Sequence, residues 1–200
     1  MIKPAMTKLY RLGSPWQERI VLDDLRELLL RPIAPEDAEP IRAAFALLTP
    51  EEIRLRYQHP MKSLSDDYVR QLTHPQRGRD IVLVLAELLP PGEALIGAVA
   101  RLSRIPGTPH AEFALIVSRF IAGNGLGRLL LKKLVSRARR NKLHSIYGDV
   151  LVDNAAMLHL AEALGFRRET CESAGMVRVR LLLNAGRPYR GDRDASHPAT

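Results

Sequence analysis

The pattern of apolar and polar positions predicts a regular succession of strands and helices between residues 27 and 183. Short apolar, β-branched runs bounded by proline or glycine are typical of strands, and apolar residues three or four positions apart are typical of helices. The predicted strands are 27–33, 80–89, 94–103, 111–117, 145–151 and 176–183. The predicted helices are 35–48, 50–57, 66–72, 125–141 and one that begins at Asp153 or Asn154 and stops at Gly165.

Capping and turn residues support these boundaries. The run TPEE at 49–52 is a capping box with proline at the first helical position, and Ser65 is placed to cap the next helix. PPG at 90–92 is a turn between two neighbouring strands. The element order predicts an α+β fold with one mixed, mainly antiparallel sheet of about six to seven strands flanked by helices.

The two ends of the chain lack such a pattern. Residues 1–24 show no sustained periodicity and are predicted to form a loosely held arm. Residues 184–200 are rich in glycine, proline, arginine and aspartate, a composition that predicts disorder. The segment 25–183 is therefore predicted to be the single folded domain, and no internal repeat is visible.

Composition narrows the class of protein. Apolar residues make up 46% and charged residues 26%, as in soluble globular domains. No apolar run approaches the ~20 residues that span a bilayer, and the N-terminus lacks the apolar core of a signal peptide. A single cysteine, Cys171, excludes an internal disulfide and a cysteine metal cluster. We expect a cytoplasmic protein without a metal cofactor and without membrane contact.

The positive charge is concentrated in one segment. The net charge is +8, and eight basic residues lie between Ser118 and Lys142 with no acidic residue among them. They are Arg119, Arg128, Lys132, Lys133, Arg137, Arg139, Arg140 and Lys142. A field of this kind favours an anionic ligand. Binding to nucleic acid is the alternative, but aromatic residues at 5% offer few platforms for base stacking.

Three alternating glycines, Gly123, Gly125 and Gly127, stand between a predicted strand and the longest predicted helix. The free N–H groups and the dipole at a helix N-terminus favour a phosphate there. The loop lacks the Gly-Lys-Ser/Thr ending of a P-loop, and its spacing is not that of the dinucleotide fingerprint. A glycine-rich turn without a ligand is the structural alternative.

Residues 111–166 resemble the acyl-CoA-binding core of the GNAT acetyltransferase superfamily. The resemblance rests on AGNGLG at 122–127 and on the helix from Asp153 to LGF at 164–166. Within the superfamily the chain is most similar to bacterial Pat-type protein lysine acetyltransferases, through AEFA at 111–114, GDVL at 148–151 and Ala161 where tyrosine is usual. The upstream segments LRPIAPEDAEPI, LTPEEIRLRYQHP and LSDDYVRQLT extend the similarity over residues 26–183.

The resemblance implies a splayed, V-shaped cleft for acetyl-CoA between the strands 111–117 and 145–151. It places the pyrophosphate on the backbone of the glycine turn and the pantetheine beside the end of the first strand. The implied cofactor-binding residues are Ile116, Val117, Ser118, Gly123, Asn124, Gly125, Leu126, Gly127, Arg128, Leu129 and Asn154. Ala122 departs from the family pattern, which has glutamine or arginine there, so one polar contact to the phosphates is missing.

Glu112 is the candidate general base. An amine of pKa ~10.4 is protonated at pH 7, and freeing it costs roughly 4–5 kcal/mol. A carboxylate in a partly buried cleft can accept that proton, since desolvation raises its pKa. The alternative is a solvent-facing glutamate at a strand edge.

Other candidates have weaker support. Tyr147 could protonate the leaving thiolate, and Asp149 could link Glu112 to a water relay. Asn154 could cap its helix, contact the cofactor, or do both. Arg54, Arg56 and Tyr57 fall in the region that builds the acceptor side in this superfamily, and a solvated helix face is their alternative.

These observations together predict transfer of an acetyl group from acetyl-CoA to a lysine ε-amine of a protein by direct attack. The Pat resemblance implies AMP-forming acyl-CoA synthetases as substrates. An N-acetyltransferase for small amines is the alternative, followed by a noncatalytic acyl-CoA-binding module. We expect a monomer or a homodimer.

Overall fold

The computed structural model describes residues 16–171 and 173–183, together with the backbone of residues 6–9. Within these residues the chain forms nine strands, a short 3-10 helix at Pro35–Asp37 and five α-helices. The strands are β1 (Met6–Leu9), β2 (Gln17–Val21), β3 (Glu27–Pro32), β4 (Asp80–Ala86), β5 (Ile96–Arg104), β6 (His110–Val117), β7 (Ser145–Leu151), β8 (Arg167–Thr170) and β9 (Met176–Leu182). The helices are α1 (Ala38–Ala46), α2 (Pro50–Tyr57), α3 (Asp66–Thr73), α4 (Leu126–Arg140) and α5 (Ala155–Glu162).

All the described strands belong to one sheet, in the order β1-β2-β3-β4-β5-β6-β7-β9-β8. Every neighbouring pair is antiparallel except β6 and β7, which are parallel. The predicted mixed, mainly antiparallel sheet is therefore confirmed. The sheet has more strands than the six to seven predicted, because β1, β2 and β8 were not recognisable as strands in the sequence.

The prediction of a loosely held arm over residues 1–24 is wrong for Gln17–Val21. These residues form β2, which pairs with β3, and both Glu18 and Ile20 are fully buried. This strand could not be predicted from the sequence, because one of its two inward-facing residues is a glutamate. The carboxylate of that residue is neutralised by Lys133 of α4. β8 could not be predicted because all four of its residues are exposed, so it has no pattern of buried apolar residues. The predicted disordered tail, 184–200, lies outside the described residues.

Two hydrophobic cores lie on opposite faces of the sheet. Central strand β4 contributes to both, because Leu83 and Leu85 pack toward α4 while Val82 and Val84 pack toward α1–α3. A strand buried on both faces reads as a continuous apolar run, which is why this strand was easily predicted. No helix in the described part of the chain is long and apolar enough to cross a bilayer.

A buried ion pair anchors α1 beneath the sheet. The guanidinium of Arg31 donates two hydrogen bonds to the Asp37 carboxylate, at 2.6 and 2.8 Å, and both side chains are almost completely buried. The backbone N–H of Ala34 donates a third bond, at 2.8 Å. Burial alone would raise the pKa of the Asp37 carboxyl, but these bonds hold that pKa below its ordinary value.

Candidate active site

The site is built where β6 and β7 separate. Their parallel pairing is short, running from His110 with Ser145 to Glu112 with Tyr147. Beyond this point β6 continues with β5 as far as Val117, and β7 continues with β9 as far as Leu151. The two strands therefore diverge, and the V-shaped opening expected between residues 111–117 and 145–151 is present.

The ring of Phe113 fills the base of this opening on the side of α4. Phe113 is buried and meets the Phe166 ring edge-to-face, with centroids 5.3 Å apart. On β7 it faces Gly148, where an added Cβ would lie 2.8 Å from Cζ of Phe113. Gly148 therefore has no side chain because the aromatic ring occupies that space.

The end of β6 leaves backbone groups free toward the cleft. The N–H of Ser118 donates to the carbonyl oxygen of Gly97 at 2.8 Å, so this donor is used by the sheet. Backbone groups alternate in direction along an antiparallel strand. The N–H and C=O of Val117 therefore point to the opposite edge, where β7 has moved away. Of the three residues expected to meet the pantetheine, Val117 has the backbone groups best placed to do so.

The three glycines of the turn have two different roles. Gly123 and Gly125 have positive φ angles, +86° and +69°, and an added Cβ at either position would meet nothing within 4 Å. At these two positions glycine supplies backbone conformation and leaves open space above the turn. Gly127 instead allows close packing, since its Cβ would lie 3.3 Å from Leu160 and 3.7 Å from Leu115.

The N-terminus of α4 opens onto this free space. The first bond of the helix runs from the N–H of Leu129 to the carbonyl oxygen of Gly125, at 3.0 Å. The N–H groups of residues 126–128 precede it and have no partner within the helix. Gly125, as the residue before the helix, has no side chain that could cap them. The arrangement fits an anionic group such as a pyrophosphate.

The side chain of Asn124 stabilises this turn. Its amide nitrogen donates to the carbonyl oxygens of Ile121 at 3.1 Å and Ala122 at 3.2 Å. Asn124 thus contributes to the glycine turn in two ways, through its own backbone and through the conformation that its side-chain hydrogen bonds stabilise. Arg128 is exposed in the first turn of α4, where a guanidinium can reach a phosphate.

The basic segment is only partly available for a ligand. Lys133 forms an ion pair with Glu18 and lies against the ring of Trp16, which Arg137 also contacts. These cations hold β2 to α4. Arg119 is bound to Glu52 of α2. The charge cluster therefore has structural as well as electrostatic roles.

Glu112 lies at the last paired position before the strands part. Its neighbours Ala111 and Phe113 are buried in the core beneath α4, so the Glu112 side chain projects from the opposite face. It is exposed there, whereas the sequence interpretation relied on a partly buried carboxylate. The chain itself does not desolvate this group, so any desolvation has to come from bound substrates.

Tyr147 is the cross-strand neighbour of Glu112 on the same face. Burial and, next in size, the negative charge of Glu112 raise the pKa of Tyr147. Guanidinium groups of Arg178 and Arg180 lie over its ring, at 4.4 and 5.1 Å from the ring centroid. The hydroxyl of Tyr147 therefore stays protonated well above neutral pH.

Asp149 lies one position further along this face. Arg178 donates to both of its carboxylate oxygens, at 2.7 Å each. Asp149 therefore holds Arg178 against the Tyr147 ring, and this pairing occupies both of its oxygens. Arg178 and Arg180 were not among the predicted site residues, although their alternation in MVRVRLL at 176–182 indicates a shared face.

Helix α2 bridges the two arms of the V. On the β6 side, Glu52 accepts hydrogen bonds from the backbone and the guanidinium of Arg119. On the β7 side, Arg54 pairs with Asp153 at 2.8 Å, and the Gln58 amide donates to the carbonyl oxygen of Asp149 at 3.0 Å. Arg54, predicted for the acceptor side, thus ties α2 to the loop after β7.

Arg56 and Tyr57 line an open cavity of about 500 Å³ that is bounded by α1–α3, the start of β3, β5 and the end of β6 with the loop after it. The Tyr57 ring meets Phe45 and Tyr68 edge-to-face, with centroids 5.7 and 6.0 Å apart. Burial and the neighbouring Tyr68 hydroxyl raise the pKa of Tyr57. The Arg56 guanidinium stacks on the Tyr57 ring and donates to the Tyr68 hydroxyl at 3.3 Å.

Asn154 and Ala161 lie on α5. The side-chain oxygen of Asn154 accepts a hydrogen bond from the Met157 N–H at 3.0 Å, so Asn154 caps this helix. Its predicted contact with the cofactor remains a prediction. Ala161 is completely buried in the core and has no side chain able to reach the cleft.

A family model described as an acetyltransferase (GNAT) domain matches residues 27–167. The chain belongs to this family. An acetyltransferase of Pseudomonas aeruginosa is 30% identical over 154 residues, which cover 77% of this chain and 81% of that protein. This membership makes the protein an acetyl-CoA-dependent GNAT acetyltransferase.

Two solved structures show the same architecture. The GNAT domain of S. lividans PAT is 25% identical, with a TM-score of 0.73 over 84% of this chain and 97% of that one. Spermidine N-acetyltransferase from Vibrio cholerae, in complex with CoA and spermine, is 21% identical with a TM-score of 0.61, over 78% of this chain and 96% of that one. In the described parts of this chain, no cluster of three or more His, Cys, Asp or Glu side chains could hold a metal ion.

Proposed function

We propose that this GNAT acetyltransferase acetylates the ε-amine of lysine residues on a protein substrate, with Glu112 as the general base. The observation that carries the proposal is the position of Glu112 at the vertex of the V, on the face opposite α4. A donor held by the glycine turn and an acceptor approaching the exposed face would meet at this carboxylate.

In the proposed reaction the amine nitrogen attacks the thioester carbonyl carbon within a ternary complex. A C–N bond forms and the C–S bond breaks, and the sulfur leaves as a thiolate with the electron pair. Glu112 takes the proton that the amine loses, directly or through water. A thiolate whose parent thiol has a pKa near 8.5 can leave without protonation by a general acid.

Tyr147 is the proposed auxiliary acid for that thiolate. Its raised pKa keeps the hydroxyl protonated, and its position beside Glu112 places it at the vertex. Asp149 supports it indirectly by holding Arg178 over the ring. Ala161 cannot serve, because its methyl group is buried under α5.

A protein acceptor is favoured by the open surface next to Glu112. Arg178 and Arg180 of β9 are only partly buried, and β8 at the sheet edge is exposed along its whole length. A surface loop that presents a lysine can reach Glu112 across this face. The fold and sequence similarity to the GNAT domain of S. lividans PAT is consistent with such a substrate.

A small amine is the second candidate acceptor. Its support is the cavity beside β6, whose volume of about 500 Å³ is typical of small-molecule sites. A panel of polyamines, amino acids and aromatic amines, assayed for release of free CoA thiol, tests this alternative. Turnover of any of them with a kcat/KM above that for the protein substrate would favour it.

The test of the main proposal is the variant Glu112→Gln, assayed with acetyl-CoA and AMP-forming acyl-CoA synthetases. We expect wild-type protein to acetylate a lysine on one of them and the variant to lose at least about 100-fold in kcat/KM. Acetyl-CoA affinity should stay unchanged. Glu93→Gln, at an exposed glutamate far from the vertex, is the matched control. Acetylation by Glu112→Gln within threefold of wild type would contradict the role of Glu112.

We also expect the protein to act in the cytoplasm as a monomer or homodimer. Its one cysteine, Cys171, fits a reducing compartment. Sedimentation equilibrium measures the assembly directly, and a stable higher oligomer would contradict the expectation.

If acetyl-CoA binds tightly but no acceptor is ever modified, the noncatalytic binding module is the correct interpretation.

A further inference from the structure

A basic pocket lies at the end of the sheet opposite the glycine turn. It is an open pocket of about 640 Å³, formed by the loop before β4 and the turn between β5 and β6. Strand β6 begins at His110, beside this turn, and ends at Val117, before the glycine turn. The two ends of the strand are about 23 Å apart at 3.3 Å per residue, so this pocket is separate from the proposed cofactor site.

Two arginines stand side by side in this pocket. The backbone N–H of Arg104 donates to the carbonyl oxygen of Arg79 at 2.9 Å, which makes the two residues neighbours across adjacent strands. One nitrogen of each guanidinium is already bound. Arg79 donates to the side-chain oxygen of Gln76, and Arg104 donates to the carbonyl oxygen of Thr108, both at 3.3 Å. Within the described residues, the other guanidinium nitrogens of this pair have no partner and remain available to a ligand.

No carboxylate neutralises these two cations within the part of the chain that the structure describes. No aspartate or glutamate is among the described residues that line the pocket. The adjacent carboxylate, Asp80, is already engaged, because it accepts from the Ser103 hydroxyl at 2.5 Å and pairs with Arg101 at 3.5 Å. Like charges on neighbouring strands repel each other, so an anion between the two guanidiniums would be favourable.

Two further groups of the pocket are hydrogen-bond donors. Because the side-chain oxygen of Gln76 accepts from Arg79, its amide nitrogen is left to donate. The turn at 105–108 is closed by the bond from the Thr108 N–H to the carbonyl oxygen of Ile105, at 3.2 Å, which leaves the N–H of Gly107 unused by the turn. An added Cβ at Gly107 would meet nothing within 4 Å, so this part of the pocket is open. Such donors favour a ligand whose oxygens only accept hydrogen bonds.

We propose that this pocket, which we call the Arg79–Arg104 pocket, binds the phosphate group of a small phosphomonoester. Guanidinium groups bind phosphate oxygens through pairs of parallel N–H···O bonds. Two guanidiniums also match the charge of about −1.5 to −2 that a phosphomonoester carries at neutral pH. The site lies apart from Glu112, so the inference goes beyond acetyl transfer and does not depend on the choice of acceptor.

Titration of isotope-labelled protein with inorganic phosphate, followed by amide NMR, tests the proposal. The glycine turn can bind phosphate as well, but the two sites have different reporter amides, Gly107 and Gly125. We expect the Gly107 amide to shift saturably with a Kd of about 1 mM or lower. Phenyl phosphate, which is a monoester, should saturate the same amide. Dimethyl phosphate carries a single negative charge and should bind at least about fivefold more weakly.

The variant Arg104→Gln should weaken phosphate binding at the Gly107 amide at least about tenfold and leave the response of Gly125 unchanged. The matched control is Arg77→Gln, which removes the same charge from an exposed arginine of the same loop that does not line the pocket. Its phosphate affinity should stay within about twofold of wild type, because solvent screens an exposed charge. Thermal unfolding shows whether each variant folds, and Arg79→Gln is the second variant if Arg104→Gln does not.

Four results would overturn the proposal. They are a Gly107 shift that never saturates, binding of inorganic phosphate without binding of phenyl phosphate, equal affinity for dimethyl phosphate, and equal weakening by Arg77→Gln and Arg104→Gln. The titration needs neither acetyl-CoA nor an acceptor. Its outcome is therefore independent of the assay of Glu112→Gln, and either proposal can fail without the other.

Discussion

The donor side and the acceptor side of this enzyme are built in different ways. The donor side, which we define as β6, the glycine turn and α4, is one continuous segment, and it offers mainly backbone atoms. The proposed acceptor side, defined as α1–α3 with β5 and β9, is assembled by side chains distant in sequence. Arg54 and Asp153, for example, are 99 residues apart. A site like the donor side can be predicted from local sequence, whereas a site like the proposed acceptor side cannot.

The difference also predicts how each side responds to mutation. On the donor side, a substitution should affect stability or cofactor binding by changing the backbone conformation of the glycine turn or by filling the space above it. On the proposed acceptor side, a substitution should act through burial and ion pairing, because α1–α3 are held by a buried apolar cluster and by ion pairs such as that of Arg31 with Asp37.

The largest expected effect is next to the proposed acceptor side, in Asp37→Asn, at the residue that precedes α1. The variant leaves the buried Arg31 guanidinium without its carboxylate, which should cost about 3–5 kcal/mol in free energy of unfolding. Urea titration at pH 7 measures the loss. Acetyl-CoA affinity, measured on protein that is still folded, should change little because the donor side is untouched.

The pH dependence sharpens this test. The pKa of Asp37 is held below its ordinary value in the folded protein, so the stabilisation is complete above the unfolded carboxyl pKa of ~3.9 and disappears as the pH falls through the lower folded value. The wild-type free energy of unfolding should therefore approach that of Asp37→Asn in acid. A constant difference between the two proteins from pH 7 down to pH 2 would contradict the role of the ion pair.

At the vertex between the two sides, Gly148→Ala should destabilise by about 1–3 kcal/mol, since the new methyl group would overlap the Phe113 ring. Chemical denaturation measures the change. The double variant Gly148→Ala with Phe113→Leu should recover part of the loss, as a thermodynamic cycle would show. Strictly additive losses would mean that the ring does not determine the glycine at this position.

On the donor side, Gly125→Ala should cost about 1–2 kcal/mol of stability, because its φ of +69° disfavours any side chain. It should also weaken acetyl-CoA binding at least tenfold by placing a methyl group where the turn is open. Gly107→Ala is the matched control, with φ of +73° and equally free surroundings in a distant turn. The same stability loss with no change in affinity is expected there. Equal affinity in both variants would mean that the turn does not hold the cofactor.

The smallest effect is expected for Arg54→Ala, which removes the exposed ion pairs with Glu51 and Asp153. Exposed pairs contribute up to about 1 kcal/mol, so thermal unfolding should change little. A rise in KM for the acceptor with unchanged kcat would indicate that α2 shapes the acceptor entrance. A stability loss as large as that of Asp37→Asn would remove the distinction between buried and exposed pairs on this side.

The elements themselves were largely predictable, and the reasons for the failures are specific. Strand β4 and helix α4 were predicted because their apolar patterns match what the fold buries. Strand β2 was missed because Glu18 occupies a buried position that only Lys133, 115 residues away, makes tolerable. Strand β8 was missed because it buries nothing and exists only by pairing with β9.

The sequence by itself determined the family, the main strands and helices, the glycine turn as a candidate anion site and Glu112 as the candidate base. Each of these depends on residues close together in the chain, where backbone conformation and capping act. Only the tertiary structure decided that Glu112 and Tyr147 are neighbours, that Arg178 and Arg180 lie over the Tyr147 ring, and that an apolar cavity adjoins Ile116. These features depend on strand register and helix packing, which set distances between residues that the linear sequence leaves open.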